Sequence, residues 1–251
     1  MSVLELALAF QFLTTLPVPI WRKPTAEQMG RAQRYFPLVG VFGGALAIAT
    51  DALFSSFLPA MAVAALLLAS QAVLTGALHL DGFADCCDAL LGFKDVERRL
   101  QILKDSRIGS YGSVGLICLL LLKWAALASL VSPWRWGAFL VAPTLGRWAM
   151  VCALIAFPYA RVAGTGSLFK QHSSVPSFVV ATAFALVVSL AALRAWGLIM
   201  LLAAGAVAWL LGRWMLTRIP GLTGDCYGAV NEVVESFILL FALALSARAI
   251  P

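Results

Sequence analysis

The chain has 251 residues, of which 62% are hydrophobic and 12% are charged, and its mean hydropathy is +0.93. A soluble domain is typically about 45–50% apolar, so this composition excludes an ordinary soluble protein and indicates an integral membrane protein. The formal charge of +6 does not point to a nucleic-acid partner, because cytoplasmic Lys and Arg of a membrane protein produce the same balance.

The apolar stretches predict the fold class. Residues 3–19 are apolar but short and are interrupted by Glu5 and Gln11, so we expect an interfacial or re-entrant helix that ends near Pro17. Seven further stretches have about the 20 residues that cross a bilayer: 36–58, 61–80, 110–131, 136–157, 176–193, 198–216 and 229–248. The prediction is an all-α, polytopic membrane helix bundle of about seven transmembrane helices, forming a single domain over residues 1–251.

The basic residues predict the orientation of these spans. If the connecting segments 20–35, 81–109, 158–175 and 213–228 share one side, that side carries 13 of the 18 Lys and Arg. Basic connecting segments remain in the cytoplasm, so the polar motifs are expected on the cytoplasmic side.

The most informative polar segment covers residues 78–90. Asp81, Asp85 and Asp88 stand at i, i+4 and i+7, which puts them within about 60° of one another on one helix face. Three like charges repel one another unless a cation lies between them, and carboxylates favour Mg²⁺, Ca²⁺ or Mn²⁺ over Zn²⁺. A metal site is therefore predicted; the alternative is a solvated helix face.

A predicted anion site follows. Residues 92–105 read as an amphipathic surface helix, and the next apolar helix begins after Gly109 and Ser110. Backbone N–H groups at such a helix start bind phosphate, with Lys104 and Arg107 as counter-charges. The alternative is an ordinary helix start at which the basic side chains extend their charged ends into water.

A second acidic cluster lies at residues 221–235. Asp225 and Glu232 share a helical face, and Glu232 and Glu235 enter an apolar span. Carboxylates inside a membrane are costly and usually functional, so a second metal position or a general base is predicted. The alternative is hydrogen bonding within the bundle.

Two arginines and one histidine complete the candidate set. Arg147 interrupts a span, so it should face carboxylates or a phosphate inside the bundle. The predicted catalytic residues are Asp81, Asp85, Asp88, Asp225 and Glu232. The predicted substrate-binding residues are His79, Lys104, Asp105, Arg107, Gly109, Ser110, Arg147, Arg161 and Asn231.

Several of these motifs together resemble one known family. Residues 78–85 read Leu-His-Leu-Asp-Gly-Phe-Ala-Asp, and residues 104–112 read Lys-Asp-Ser-Arg-Ile-Gly-Ser-Tyr-Gly. Further matching motifs lie at 12–19, 35–40, 146–148 and 221–225. In this order, over nearly the whole chain, they resemble the adenosylcobinamide-GDP ribazoletransferase family, also called cobalamin synthase.

The resemblance implies a multi-pass enzyme of the bacterial inner membrane that uses Mg²⁺. It implies that adenosylcobinamide-GDP and α-ribazole, or its 5′-phosphate, are joined to adenosylcobalamin or its phosphate, with release of GMP. Asp81, Asp85 and Asp88 would then hold Mg²⁺ on the diphosphate, and a homo-oligomer in the lipid bilayer is expected. The alternatives are another membrane transferase of the CDP-alcohol or prenyl type, or a transporter, although transporters place their charges midway across the bilayer.

Overall fold

The computed structural model describes residues 2–21, 23–105, 107–160 and 165–248. The regular secondary structure of these residues is helical, apart from one isolated backbone bridge between Tyr159 and Leu222. In chain order, the helices are α1 (Val3–Leu13), α2 (Ala26–Ala32), α3 (Phe36–Phe54), α4 (Ala60–Thr75), α5 (Leu78–Leu90), α6 (Val96–Ile102), α7 (Ser110–Ser129), α8 (Trp134–Ala156), α9 (Thr165–Gln171), α10 (Val175–Leu193), α11 (Ala195–Leu216) and α12 (Gly224–Arg248). The all-α prediction is confirmed.

Six described helical segments are long and apolar enough to cross a membrane, and a seventh is obtained if the bent pair α4 and α5 counts as one span. Helix α1 has 11 residues and a length of about 17 Å, which is too short to cross a bilayer of about 30 Å. It ends at Leu13 rather than near Pro17. The predicted bundle of about seven spans, with a shorter apolar helix at its N-terminal end, is therefore confirmed.

The predicted span 61–80 is wrong at its C-terminal end, because α4 stops at Thr75 and α5 turns away from it by 92°. Gly76 and Ala77 cause the turn, since both have a left-handed backbone with φ of +58°. Thr15 stabilises the corner: its N–H donates to the Leu74 carbonyl at 2.7 Å, and its hydroxyl donates to the Val73 carbonyl at 3.0 Å. These bonds satisfy carbonyls that the end of α4 leaves without helical partners.

Helix α8 is the centre of the bundle, and residues 141–151 are all buried. Small residues let other helices approach it closely. A Cβ atom on Gly40 of α3 would lie 2.4 Å from the Pro143 carbonyl oxygen, and a Cβ on Gly146 would lie 2.7 Å from Asn231 Oδ1 of α12. Close backbone approach through small residues is the usual packing mode of membrane helices. It brings α12 against α8 along much of its length.

Two connections fix the start of α12. The Leu222 N–H donates to the Pro158 carbonyl, and the Ala160 N–H donates to the Leu222 carbonyl, both at 2.8 Å. Helix α12 then begins at Gly224, which extends the predicted span 229–248 by more than one turn. The earlier start places Asp225 in the first helical turn, where the helix dipole favours a negative charge.

Candidate active site at the start of α5 and α12

Asp81, Asp85 and Asp88 lie on α5, as the sequence predicts, but their environments differ. Asp81 is exposed, Asp85 is half-buried and Asp88 is buried. The change follows the path of α5, whose C-terminal end lies against α7 at Cys87 and Asp88. The three carboxylates therefore do not form one uniform acidic face.

Asp88 binds the N-terminus of α7. One carboxylate oxygen accepts the Gly109 N–H at 2.7 Å, and the other accepts the Gly112 N–H at 2.9 Å. Both glycines are needed for this approach, because a Cβ on Gly109 or Gly112 would lie 2.5 or 2.3 Å from the same carboxylate. An anion at a helix N-terminus is stabilised by free N–H groups and by the helix dipole. In this structure that anion is Asp88, at the place where the sequence suggests a phosphate.

The polar side chains around this helix start remain outside the bundle. Lys104, Arg107 and Ser110 are exposed. Arg107 donates to the carboxylate of Asp105 through Nε at 3.0 Å and through Nη2 at 2.7 Å. These bonds lower the pKa of Asp105 to about 2, so the pair is fully ionised at neutral pH. The loop offers exposed positive charge near α5.

The N-terminal turn of α12 crosses α5 next to Asp81. A Cβ on Gly82 would lie 2.8 Å from the Asp225 carbonyl oxygen, and Gly228 faces the backbone of His79. The hydroxyl of Thr223 donates to the Asp225 carboxylate at 3.1 Å. The two glycines therefore let the helices touch, and this contact brings together two acids that are far apart in sequence.

Asp81 and Asp225 line the same cavity, whose volume is about 130 Å³. Its other lining residues come from six helices: Phe12, Phe36, Leu78, His79, Met150, Leu154, Gly166, Phe169, Gly224, Tyr227 and Gly228. The exposed lining residues are Leu78, Asp81 and Gly224, so the cavity opens beside the acids. Its inner wall is apolar and aromatic. Concave, mostly apolar pockets with a few converging polar groups are the usual form of small-molecule sites.

The deeper acids of α12 belong to a different cluster. Glu232 and Glu235 accept from the Lys123 ammonium of α7 at 2.5 and 2.9 Å, and Glu235 also pairs with Arg147 of α8. Asn231 donates to Glu235 at 3.1 Å. All five side chains are buried, and the two positive and two negative charges balance. We call this set the ion-pair network.

The predicted site residues thus lie in three places: the open cavity, the ion-pair network and the exposed loop before α7. Asp81, Asp225 and His79 line the open cavity, whereas Glu232, Asn231 and Arg147 form the ion-pair network and do not line it. Arg147 faces carboxylates, as predicted. Arg161 lies outside the described residues. Lys123 and Tyr227, which the sequence analysis did not single out, complete the network and the cavity wall.

Two carboxylates of α5, rather than the predicted three, are in a position to hold a divalent metal. In the described part of the chain, no three His, Cys, Asp or Glu side chains are placed around a common ion position. Mg²⁺ usually binds through one or two carboxylates and completes its coordination with water and substrate phosphates. Asp81 and Asp85 on one face of α5, with Asp225 across the cavity opening, fit that pattern.

Comparisons with known proteins agree with one another. The family model described as cobalamin-5-phosphate synthase matches residues 5–243. An adenosylcobinamide-GDP ribazoletransferase of Stutzerimonas stutzeri (strain A1501) is 42% identical over 95% of this chain and 97% of its own length. A protein of the same name from Pseudomonas savastanoi pv. phaseolicola (strain 1448A / Race 6) is 40% identical over 93% of this chain and 96% of its own length. Another, from Roseiflexus sp. (strain RS-1), is 39% identical over 95% of this chain and 88% of its own length. No solved structure matches. The chain belongs to the cobalamin-5-phosphate synthase family.

Proposed function

We propose that this protein is an adenosylcobinamide-GDP ribazoletransferase that joins adenosylcobinamide-GDP to α-ribazole, or its 5′-phosphate, and releases GMP. Family membership over nearly the whole chain supports the reaction. The observation that supports the site is the convergence of Asp81 and Asp225 on one open cavity. Carboxylates at a cavity opening serve a reaction in which a hydroxyl loses a proton and a diphosphate is cleaved.

The proposed reaction forms one P–O bond and breaks another. The ribazole hydroxyl attacks the phosphorus next to the corrinoid, the bridging P–O bond of the diphosphate breaks, and GMP leaves with the bridging oxygen. Asp225 accepts the proton of the attacking hydroxyl. This role suits its half-buried position in the first turn of α12, where it lines the cavity. Glu232 suits the role less well, because Lys123 neutralises it inside the bundle.

We propose Mg²⁺ as the cofactor, held by Asp81 and Asp85. Asp88, the third acid of the predicted metal set, would have to share its oxygens with Gly109 and Gly112. When bound, the ion supplies charge neutralisation on the diphosphate. The exposed Lys104 and Arg107 provide further positive charge for the same group.

We propose the bacterial inner membrane as the location, with the cavity opening on the cytoplasmic side. The basic connecting segments support this orientation, since they carry most of the Lys and Arg and include the segment that follows Asp81. Substrates made in the cytoplasm would reach the exposed acids without crossing the bilayer. We also propose that the protein forms a homo-oligomer in the membrane.

The function is tested with the full chain purified in detergent. Adenosylcobinamide-GDP, α-ribazole and Mg²⁺ are added, and GMP and the completed cobamide are measured by chromatography. We expect both products in equal amounts, dependent on both substrates. Omission of either substrate is the control, and failure to form GMP with intact substrates would contradict the proposal.

The cofactor has its own test. Treatment with EDTA should abolish GMP release, and added Mg²⁺ should restore it in the wild type. In an Asp85→Asn variant we expect the Mg²⁺ concentration for half-maximal rate to rise by about tenfold. A matched control is Glu27→Gln, an exposed acid on α2 that pairs with Arg31. An unchanged Mg²⁺ requirement in Asp85→Asn would contradict the metal assignment.

A further inference from the structure

The inner part of the cavity has the chemistry of a site for a flat apolar ring. Phe12, Phe36 and Phe169 form one aromatic cluster in its wall, with ring centroids 4.6 to 6.1 Å apart. Met150 and Leu154 of α8 complete the apolar surface. Aromatic side chains at these distances form a rigid surface that favours stacking or edge contact with another ring.

The volume restricts what can enter. The cavity measures about 130 Å³, and an apolar cavity of roughly 150 Å³ accepts a benzene-sized ring. A corrinoid or a whole nucleotide is much larger. The inner cavity therefore suits the outer six-membered ring of a fused aromatic base, with the second ring at the opening and the rest of the ligand outside at the acids.

Two buried polar groups in the cavity wall have no hydrogen-bond partner within the described part of the chain. His79 is 2% exposed and Tyr227 is 4% exposed, and neither His79 Nε2 nor the Tyr227 hydroxyl has a hydrogen-bond partner among the described residues. A buried polar group without a partner is unfavourable, because it has lost its hydrogen bonds to water and gained none in return. Both residues line the cavity, so a ligand with a ring nitrogen or a hydroxyl offers partners that this part of the protein does not.

Each substrate of the proposed reaction carries an aromatic base, guanine in one and benzimidazole in the other. The chemistry of the cavity suits the two bases unequally. The ribose or phosphate of either substrate must stay near Asp81 and Asp225, so the base enters with its far edge first. The far edge of guanine carries N–H, amino and carbonyl groups, and a mostly apolar lining that includes Phe36, Met150 and Leu154 would leave most of these groups without partners. The far edge of a benzimidazole carries only carbon and hydrogen, and its one free ring nitrogen accepts a single hydrogen bond.

We propose that this cavity binds the benzimidazole base of α-ribazole, with Tyr227 and His79 in hydrogen-bonding contact with the nucleoside. The inference rests on the proposed function and assigns one of its two substrates to a defined site. Binding the base inside leaves the ribose hydroxyls at the cavity opening, next to Asp225. The cavity would thus position the nucleophile as well as select it.

The test fills the cavity with Leu154→Phe and measures the KM of each substrate from GMP release. We expect the KM for α-ribazole to rise at least tenfold and the KM for adenosylcobinamide-GDP to change by less than twofold. The matched control is Leu211→Phe in the cavity beside Cys86 and Trp214, where we expect both KM values to stay within twofold. A conservative second variant, Tyr227→Phe, should raise the KM for α-ribazole by about fivefold, as expected for one hydrogen bond.

The outcomes separate the two proposals. If the wild type releases no GMP from intact substrates, the proposed function fails and the cavity assignment fails with it. If the wild type is active but Leu154→Phe raises instead the KM for adenosylcobinamide-GDP, or the inhibition constant of GMP, guanine occupies the cavity and the inference is overturned. If Leu154→Phe does not fold, Tyr227→Phe decides, and an unchanged KM for α-ribazole then contradicts the inference.

Discussion

Helix α12 carries two acidic regions that look alike in sequence and differ in the structure. Asp225, in the first turn, lies at the opening of an aromatic cavity together with Asp81. Glu232 and Glu235, two to three turns further on, are sealed between α7 and α8 and paired with Lys123 and Arg147. An acid of a membrane helix can therefore either lie open to a cavity or be neutralised inside the bundle, and its neighbours decide which.

The largest effect is expected at the cavity. Asp81→Asn should lower kcat for GMP release by about 100-fold or more, because interactions with charge that develops in the transition state contribute 10²–10³ in rate. Its melting temperature should stay near that of the wild type, since Asp81 is exposed. A variant that melts early, or that keeps its full rate, would contradict a catalytic role for Asp81.

The network is expected to respond in the opposite way. Glu235→Gln removes the carboxylate that joins Lys123 to Arg147 and leaves excess positive charge inside the bundle. Loss of one partner of a buried ion pair destabilises by about 3–5 kcal/mol, so the melting temperature in detergent should fall by several degrees or more. The control is Glu97→Gln on the surface of α6. Equal melting temperatures for the two variants would show that the network does not hold the helices together.

The contact between α5 and α12 links the two regions. Gly82→Ala places a Cβ against the Asp225 backbone, and such overpacking costs about 1–3 kcal/mol. We expect a moderate loss of stability and a lower GMP release rate, because Asp225 would move relative to Asp81. Gly224→Ala is the matched control for stability alone, since its Cβ would have no atom within 4 Å but the residue lines the cavity opening. If both substitutions are equally mild, the close crossing does not position Asp225.

The smallest effect is expected in the exposed loop. Arg107→Ala should leave the melting temperature unchanged, because surface ion pairs contribute little. The pKa of Asp105 is lowered, so any stabilisation by this pair is present above pH about 4 and is lost only as the pH falls towards 2. Between pH 6 and 8 the variant and the wild type should therefore differ by a constant amount in melting temperature. A difference that changes across this range would indicate another titrating partner.

Sequence periodicity was sufficient for the helices, because long apolar stretches and helical spacing act locally. It failed at residues 76–77, where the chain turns by 92° through two consecutive left-handed residues. Ala77 gives no sequence signal for such a backbone. The corner depends on Thr15, which is far away in the sequence.

The residue types of the site were predictable from the sequence, but the contacts between those residues were not. The spacing of Asp81, Asp85 and Asp88 predicted one helix, and that helix is present. That Asp88 binds the amides of Gly109 and Gly112 depends on how α7 packs against α5. Sequence alone also could not assign Lys123 to the acids of α12, since that pair joins residues 109 positions apart.

We propose that α12 divides its acids between chemistry and packing. One measurement tests it directly: GMP release and thermal melting of Asp225→Asn and Glu232→Gln, compared on equal amounts of folded protein. We predict that Asp225→Asn loses at least 100-fold in kcat and little in melting temperature, since only a helix-dipole contribution is lost, whereas Glu232→Gln melts several degrees lower and keeps kcat within about threefold. The reverse pattern, with a stable but inactive Glu232→Gln and an active Asp225→Asn, would contradict the account.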